Sequence, residues 1–194
     1  MPSHTQEKSE LRRTLRALRD ALPVSERDEA ALRVAQQLST LPQWPGINHI
    51  AIYLPRDAEL DTTPIASVAR EQGKTLYLPV LAPDKHLDFA LWQEGAILQS
   101  NRYGIPEPDT AAPRMAPANL DLVCLPLVAW TAAGDRLGMG GGYYDRTLEG
   151  ENCLKVGLGY EQQRRDALPR EVWDVRLDYV ATQAALHDCR GHPH

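Results

Sequence analysis

Cysteine is scarce in this chain, long apolar runs are missing and there is no basic excess. Each shortage removes a class of protein. The three cysteines, Cys124, Cys153 and Cys189, make no metal-binding spacing and no disulfide framework. Two of them lie in apolar, strand-like runs and read as small core residues. No apolar stretch approaches the roughly 18 residues of a membrane span, so no membrane association is expected. The N-terminal stretch is polar and lacks an apolar h-region, so no secretory signal is expected. Lys and Arg number 21 against 26 Asp and Glu, giving a net charge of −5 and a pI near 5.7. That balance argues against a nucleic-acid binder. Repeats and low-complexity blocks are absent too. What remains is a chain of 194 residues, 43% hydrophobic, which suits one domain with a real core. A soluble, cytoplasmic monomer is the expectation.

The informative stretch runs from Gly134 through Asp135-Arg136-Leu137-Gly138-Met139-Gly140-Gly141-Gly142-Tyr143-Tyr144-Asp145 to Arg146, and holds five of the 13 glycines. Leu122 to Val128 before it reads as a buried strand, and Tyr143 to Leu148 after it as a short helix. Glycines let a backbone approach a phosphate closely, and N–H groups near a helix start point at it. Arg136 and Arg146 add positive charge, and Asp145 suits a hard cation. No Gly-Lys-Ser/Thr follows, so this is not a Walker A loop. A tight turn needs glycines as well, but not this density of polar groups.

The segment Arg136-Leu137-Gly138-Met139-Gly140-Gly141-Gly142-Tyr143-Tyr144-Asp145-Arg146 resembles the signature of the 5-formyltetrahydrofolate cyclo-ligase (methenyltetrahydrofolate synthetase) family. Weaker similarities follow in family order: Lys8-Ser9-Glu10-Leu11-Arg12, Glu59-Leu60-Asp61-Thr62, Gly104-Ile105-Pro106-Glu107-Pro108, Leu168-Pro169 and Trp173-Asp174. There are departures. Trp130-Thr131 stands where the family often has Phe-Asp, and Met139 and Gly141 supply no charge where many members carry Lys or Arg. Trp173 occupies the family's late His position and is given no proton-transfer role.

Along the chain, residues 6 to 22 read as a helix with Leu11, Leu15, Leu18 and Leu22 on one stripe. Lys8, Arg12, Arg16 and Arg19 flank that stripe, either as a solvated basic edge or as a phosphate-facing one. The resemblance favours the second reading for Lys8 and Arg12, leaving Arg13, Arg16 and Arg19 as surface charges. Pro23 ends this helix, and Ser25 with Asp28 resembles the start of a second whose apolar face is Ala31, Val34, Ala35, Leu38 and Leu41. His49 to Leu54, Thr75 to Val80 and Leu87 to Trp92 read as strands, with a helix around Ile65, Val68 and Ala69. That order is the βαβ pattern of a parallel sheet. The carboxylate-rich loop Pro55 to Asp61 is either a ligand loop or a solvated one in which Asp61 or Thr62 caps the next helix. Residues 93 to 120 are irregular, and part of them could cover a ligand. Leu154 to Leu158 and Tyr179 to Thr182 read as later strands. Asp174 and Asp178, four apart, could serve a metal or be unrelated surface groups. The terminal stretch 187–194 reads as a flexible tail, with Cys189 and His192 a possible adventitious metal pair.

The fold expected is a single three-layer α/β domain with a mostly parallel sheet, which the resemblance places near the ribose-phosphate isomerase and CoA-transferase group. The resemblance implies ATP-dependent cyclisation of 5-formyltetrahydrofolate to 5,10-methenyltetrahydrofolate, with Mg²⁺ as cofactor. It implies ATP contacts from Lys8, Arg12 and the loop Arg136 to Tyr144, catalytic roles for Arg136 and Tyr144, and pterin contacts from Leu54, Glu59 and Tyr144. Asp145 and Asp178 are the metal ligands it suggests, and Tyr103 and Glu107 have candidate roles. Two other readings share these motifs: an ATP-dependent enzyme activating a different carbonyl oxygen, and a non-catalytic folate or nucleotide binder.

Overall fold

The computed structural model describes residues 4–101 and 104–191. Tyr103 and His192 lie outside the described residues. The helices are α1 (His4–Asp20), α2 (Val24–Leu38), α3 (Thr63–Glu71) and α4 (Tyr143–Leu148). The early strands are β1 (His49–Ala51), β2 (Thr75–Leu81), β3 (Leu87–Leu91), β4 (Gln99–Ser100), β5 (Pro106–Glu107) and β6 (Arg114–Met115). The later ones are β7 (Leu122–Pro126), β8 (Ala129–Trp130), β9 (Arg136–Leu137), β10 (Leu154–Leu158), β11 (Tyr179–Ala181) and β12 (Leu186–Asp188). Eight of these form one sheet in the order β12-β11-β10-β7-β1-β2-β3-β6.

Period-two alternation along the central strands splits the core into two faces. Ile50, Leu76, Leu78, Leu122, Cys124, Val156 and Leu158 pack with Ala30, Val34 and Leu38 of α2 and Ile65 and Ala69 of α3. Ala51, Tyr77, Val123, Leu125 and Val180 face the other way, against Leu148 of α4 and Leu177. The second outer layer is therefore one short helix plus irregular chain, not a matching helical pair. One helix start differs from the sequence reading: α2 begins after Pro23, with no side-chain cap. At α3 the Thr62 hydroxyl donates to the Tyr53 carbonyl at 2.6 Å, while Asp61 accepts from the Thr63 N–H at 2.9 Å.

The five central strands, β11, β10, β7, β1 and β2, pair in parallel. The chain builds outward from β1 to β2 on one side, then returns to add β7, β10 and β11 on the other. The reversal lies between β1 and β7, and loops leaving their carboxyl ends diverge there, which opens a crevice. The strand at Leu87 departs from the parallel pattern: β2 and β3 are antiparallel. Only residues 82–86 join them, far too short a link for a parallel crossover.

The C-terminal stretch corrects the expectation of a flexible tail. Leu186–Asp188 pairs antiparallel with β11, and Cys189 is buried. The His187 ring contacts Glu161 at 2.9 Å and packs tilted against Trp130 with centroids 4.7 Å apart, so β12 has both backbone and side-chain partners. Arg19 is a second correction. It is 2% exposed rather than on the surface, and pairs with Asp20 at 3.5 Å. Leu18, expected on the apolar stripe, is 56% exposed.

Thr147 ties α4 to the sheet by accepting the buried Leu87 N–H at 2.8 Å. Thr147→Val keeps the shape but leaves that N–H unsatisfied, so stability should fall by about 1–3 kcal/mol in urea denaturation.

Candidate active site

The first helix assembles the site. Leu11 and Leu15 of α1 pack with Val128 and Ala129, with Leu137 and with Leu168, on the β8–β9 hairpin. That seating turns the basic flank of α1 onto the glycine loop. Arg12 Nε donates to the Gly138 carbonyl at 2.8 Å, across 126 positions of sequence. Lys8 Nζ donates to Asp174 Oδ2 at 2.8 Å. Burial lowers the Arg12 pKa from its ordinary value; Asp174 opposes this, and the neighbouring Arg136 adds to it. A guanidinium keeps its charge through such a shift. Arg13 is exposed and pairs with Glu10, and Arg16 pairs with Asp57 at 3.2 Å.

The loop itself is fixed from within. Arg136 Nη2 donates to Asp145 Oδ1 at 2.9 Å, and Nη1 donates to the Pro126 carbonyl at 3.3 Å. Asp145 Oδ1 also accepts the Val175 N–H at 3.2 Å. The Arg136 side chain is only 5% exposed, so this fork is set before any ligand arrives. Gly140 adopts φ +102°, a conformation L side chains rarely take, and a Cβ there would sit 3.4 Å from Arg12 Cζ. The helix after the loop has only six residues, so positive charge here comes mainly from the side chains.

Two cavities flank the loop. One, of about 290 Å³, is lined by Lys8, Arg12, Leu137, Arg146, Trp173 and Asp174. The other, of about 460 Å³, is lined by Tyr53, Leu54, Glu59, Leu78, Leu81, Ile105, Glu107, Met139, Tyr143 and Tyr144. Arg136, Gly138, Gly140, Gly141, Gly142 and Asp145 line both, so the glycine loop is the wall between a cationic chamber and an apolar one. The apolar chamber opens at the ends of β1, β2 and β7, where the strand order reverses.

Glu59 hangs in the loop after β1, its Oε2 accepting the Arg56 N–H at 3.0 Å. Burial raises its pKa; the Arg56 N–H and the charge of Arg19 hold it down, and Asp57 pushes it up. Burial likewise raises the Tyr144 phenol, which stays neutral at ordinary pH even with Arg136 nearby. Glu107, on β5, accepts the Leu81 N–H at 3.1 Å and an Asn101 amide N–H at 2.8 Å, which ties β5 to β2 beside the apolar chamber.

The residues expected to contact ATP, pterin or metal all line one or both of these cavities except Asp178. Asp178 accepts the Lys155 N–H at 2.8 Å and lines a neighbouring groove with Lys155 and Glu151, not the cationic chamber that holds Asp145. The reason is the start of β11 next to it, which commits Asp178 to the amino end of that strand, beside β10. Asp174, four residues earlier, takes the place facing Lys8. The sequence reading gave no role to Arg56, which also lines the apolar chamber; its place beside Glu59 was the available signal. Arg146 lines the cationic chamber, but its Nη2 donates to the Gly141 carbonyl at 2.6 Å and its Nε to the Lys85 carbonyl at 3.0 Å. Those bonds brace the loop against the β2–β3 turn.

A mostly parallel sheet whose switch-point crevice holds a cationic glycine-loop chamber against an aromatic, carboxylate-bearing chamber is the architecture of an α/β enzyme. The chain belongs to the 5-formyltetrahydrofolate cyclo-ligase family, whose family model matches residues 4–183. It is 37% identical over 180 residues to a 5-formyltetrahydrofolate cyclo-ligase of Haemophilus influenzae, covering 90% of this chain and 96% of the relative. An Escherichia coli K12 protein of the same name is 37% identical over 178 residues, covering 89% and 98%. Among solved structures, the NMR structure of Aquifex aeolicus 5,10-methenyltetrahydrofolate synthetase superposes with TM-score 0.85 at 33% identity, covering 96% of this chain and 95% of that one. A 5,10-methenyltetrahydrofolate synthetase from Mycoplasma pneumoniae gives TM-score 0.73 at 26% identity, covering 91% and 98%. The chain is thus a ligase of folate one-carbon metabolism. Among the described residues, no helix is long and apolar enough to cross a membrane.

The Arg136–Asp145 bond is a charge-assisted one in a largely buried place. Asp145→Asn leaves an oxygen for the Val175 N–H but removes the charge facing Arg136. Stability should drop by about 1.5–3 kcal/mol, measured by urea denaturation of the ligand-free protein.

Proposed function

We propose that the protein cyclises 5-formyltetrahydrofolate to 5,10-methenyltetrahydrofolate at the expense of ATP, releasing ADP and phosphate. The observation that carries this reading is the shared wall. A triphosphate in the cationic chamber and a pterin in the apolar chamber meet across the glycine loop, so a terminal phosphoryl group has a short path between them. An amide oxygen is a poor leaving group. Transfer of the γ-phosphoryl group to the formyl oxygen makes it a good one and frees ADP. The neighbouring folate nitrogen then attacks the activated carbon and gives up its proton, and the C–O bond breaks with release of phosphate.

Phosphoryl transfer needs positioning and charge neutralisation more than covalent help. Lys8, Arg12 and Arg136 supply fixed positive charge, and the loop from Leu137 to Tyr143 brings its backbone to the phosphates. Tyr144, a neutral phenol at the loop's end, closes over the reacting centre. Leu54 packs on the pterin, and the Glu59 carboxylate accepts hydrogen bonds from its ring N–H groups. Asp145 and Asp174 both line the cationic chamber, each already paired with a cation, and no cluster of three metal-binding side chains occurs among the described residues. Two carboxylates beside a phosphate site fit Mg²⁺, which takes few protein ligands and completes its shell with phosphate oxygens and water. When bound, the ion would neutralise phosphate charge. Three free cysteines and ATP as a substrate fit a reducing cytoplasmic setting.

The direct test is to incubate the protein with 5-formyltetrahydrofolate and Mg-ATP, following methenyl absorbance and ADP together. Product formed without ATP, or turnover of other formamides but not the folate, would overturn the reading.

Glu59 gives a sharper prediction. Its raised pKa means the folded protein holds the proton more tightly than the unfolded chain. The stability contributed by the neutral acid is present at low pH and is lost as pH rises through that raised value. At pH 7, Glu59→Gln should therefore leave thermal stability unchanged or raise it. Folate binding should weaken about ten- to a hundredfold, since a charge-assisted hydrogen bond contributes roughly 1.5–3 kcal/mol. ATP affinity measured without folate should hold. Wild-type folate affinity should fall as pH drops through the raised Glu59 pKa, and the variant should lack that limb.

A further inference from the structure

Trp173 is the only strongly exposed aromatic among the described residues, at 60%. The other tryptophans are used differently: Trp44 and Trp130 are buried, and Trp92 packs on the core with Arg70 4.2 Å above its ring. Trp173 instead stands on the wall of the cationic chamber, beside Lys8 and Asp174.

The backbone carrying it is held from several directions. Glu171 N–H donates to Asp174 Oδ2 at 2.8 Å, and Asp174 N–H to the Glu171 carbonyl at 3.1 Å, closing the turn around Trp173. Lys8 fixes Asp174 to α1, and the Val175 N–H fixes the next residue to Asp145 of the loop. Arg170 and Arg176 both reach Asp135, at 3.7 and 3.6 Å. The indole is therefore exposed on a braced turn. Leaving so large an apolar surface in water costs free energy that burial elsewhere would recover. A flat indole carried on a braced turn beside an anion site suits a planar heterocycle attached to phosphates.

We propose that Trp173 is a specificity-determining residue that stacks on the purine base of the nucleotide whose phosphates occupy the cationic chamber. This rests on the nucleotide reading of that chamber. The Lys8–Asp174 bond then has a second effect: the helix that supplies phosphate charge also sets the position of the base platform.

The test compares Trp173→Ala and Trp173→Phe with wild type, using Mg-ADP and inorganic tripolyphosphate as probes, by calorimetry without folate. Stacking on an aromatic is worth roughly 1–3 kcal/mol per base, so the alanine variant should bind Mg-ADP about 5- to 150-fold more weakly. Tripolyphosphate has no base and should bind both proteins alike, and phenylalanine should restore most of the Mg-ADP affinity. In turnover, the KM for ATP should rise in the alanine variant while the folate KM stays put. Unchanged Mg-ADP affinity in Trp173→Ala overturns the proposal. So does a parallel loss of Mg-ADP and tripolyphosphate, which would mark Trp173 as a support for the turn. A wild-type protein that binds tripolyphosphate but turns over folate without ATP would instead sink the nucleotide reading itself.

Discussion

The bond from the Arg12 guanidinium to the Gly138 carbonyl is the constraint on which the site depends. It joins the first helix to the glycine loop, two parts of the chain that local structure would leave apart. It works because Leu11 and Leu15 have already seated α1 on the β8–β9 hairpin, so an apolar contact sets the distance and a charged one sets the rotation. A helix held by its leucines alone could turn about its axis. With Arg12 bonded to the loop and Lys8 bonded to Asp174, two turns of basic side chains become one wall of the cationic chamber.

The loop then separates two environments that the chemistry needs close together but unlike each other. On one side are cations and carboxylates; on the other are aromatic rings, leucines and the half-buried acids Glu59 and Glu107. Arg136 belongs to both sides, and its fork is oriented by Asp145 and by the carbonyl that ends β7. Orientation of that kind is achieved in folding, so it need not be repeated when ligands bind.

The arrangement carries electrostatic costs elsewhere. Arg19 is buried with none of its guanidinium nitrogens hydrogen-bonded, and its charge is felt at Glu59 and at the Tyr160 hydroxyl. Tyr160 in turn donates to the Ala58 carbonyl, one residue before Glu59. Buried charge of this sort is unfavourable for folding unless something nearby benefits. Here the beneficiary is a carboxylate that burial alone would drive toward its neutral form.

Much was legible in the sequence because it depends on local chemistry. Strand Leu154–Leu158 and helix Tyr143–Leu148 follow directly from apolar runs and from glycine, and Lys8, Arg12, Glu59 and the loop stood out by residue type and resemblance. What tertiary structure decided was which groups share a space. Asp174 and Asp178 look alike four residues apart, yet the turn at Glu171 gives only Asp174 a place on the cationic chamber, and β11 holds Asp178 at its amino end beside Lys155. Arg16 and Arg19 share a flank of α1, yet one reaches Asp57 at the surface and the other is enclosed. The stretch from His187 is polar and terminal, yet β12 pairs with β11 because the open edge of the sheet supplies hydrogen-bond partners no sequence window contains. Periodicity reports the face a residue prefers, whereas its neighbours across a fold are set by long-range packing.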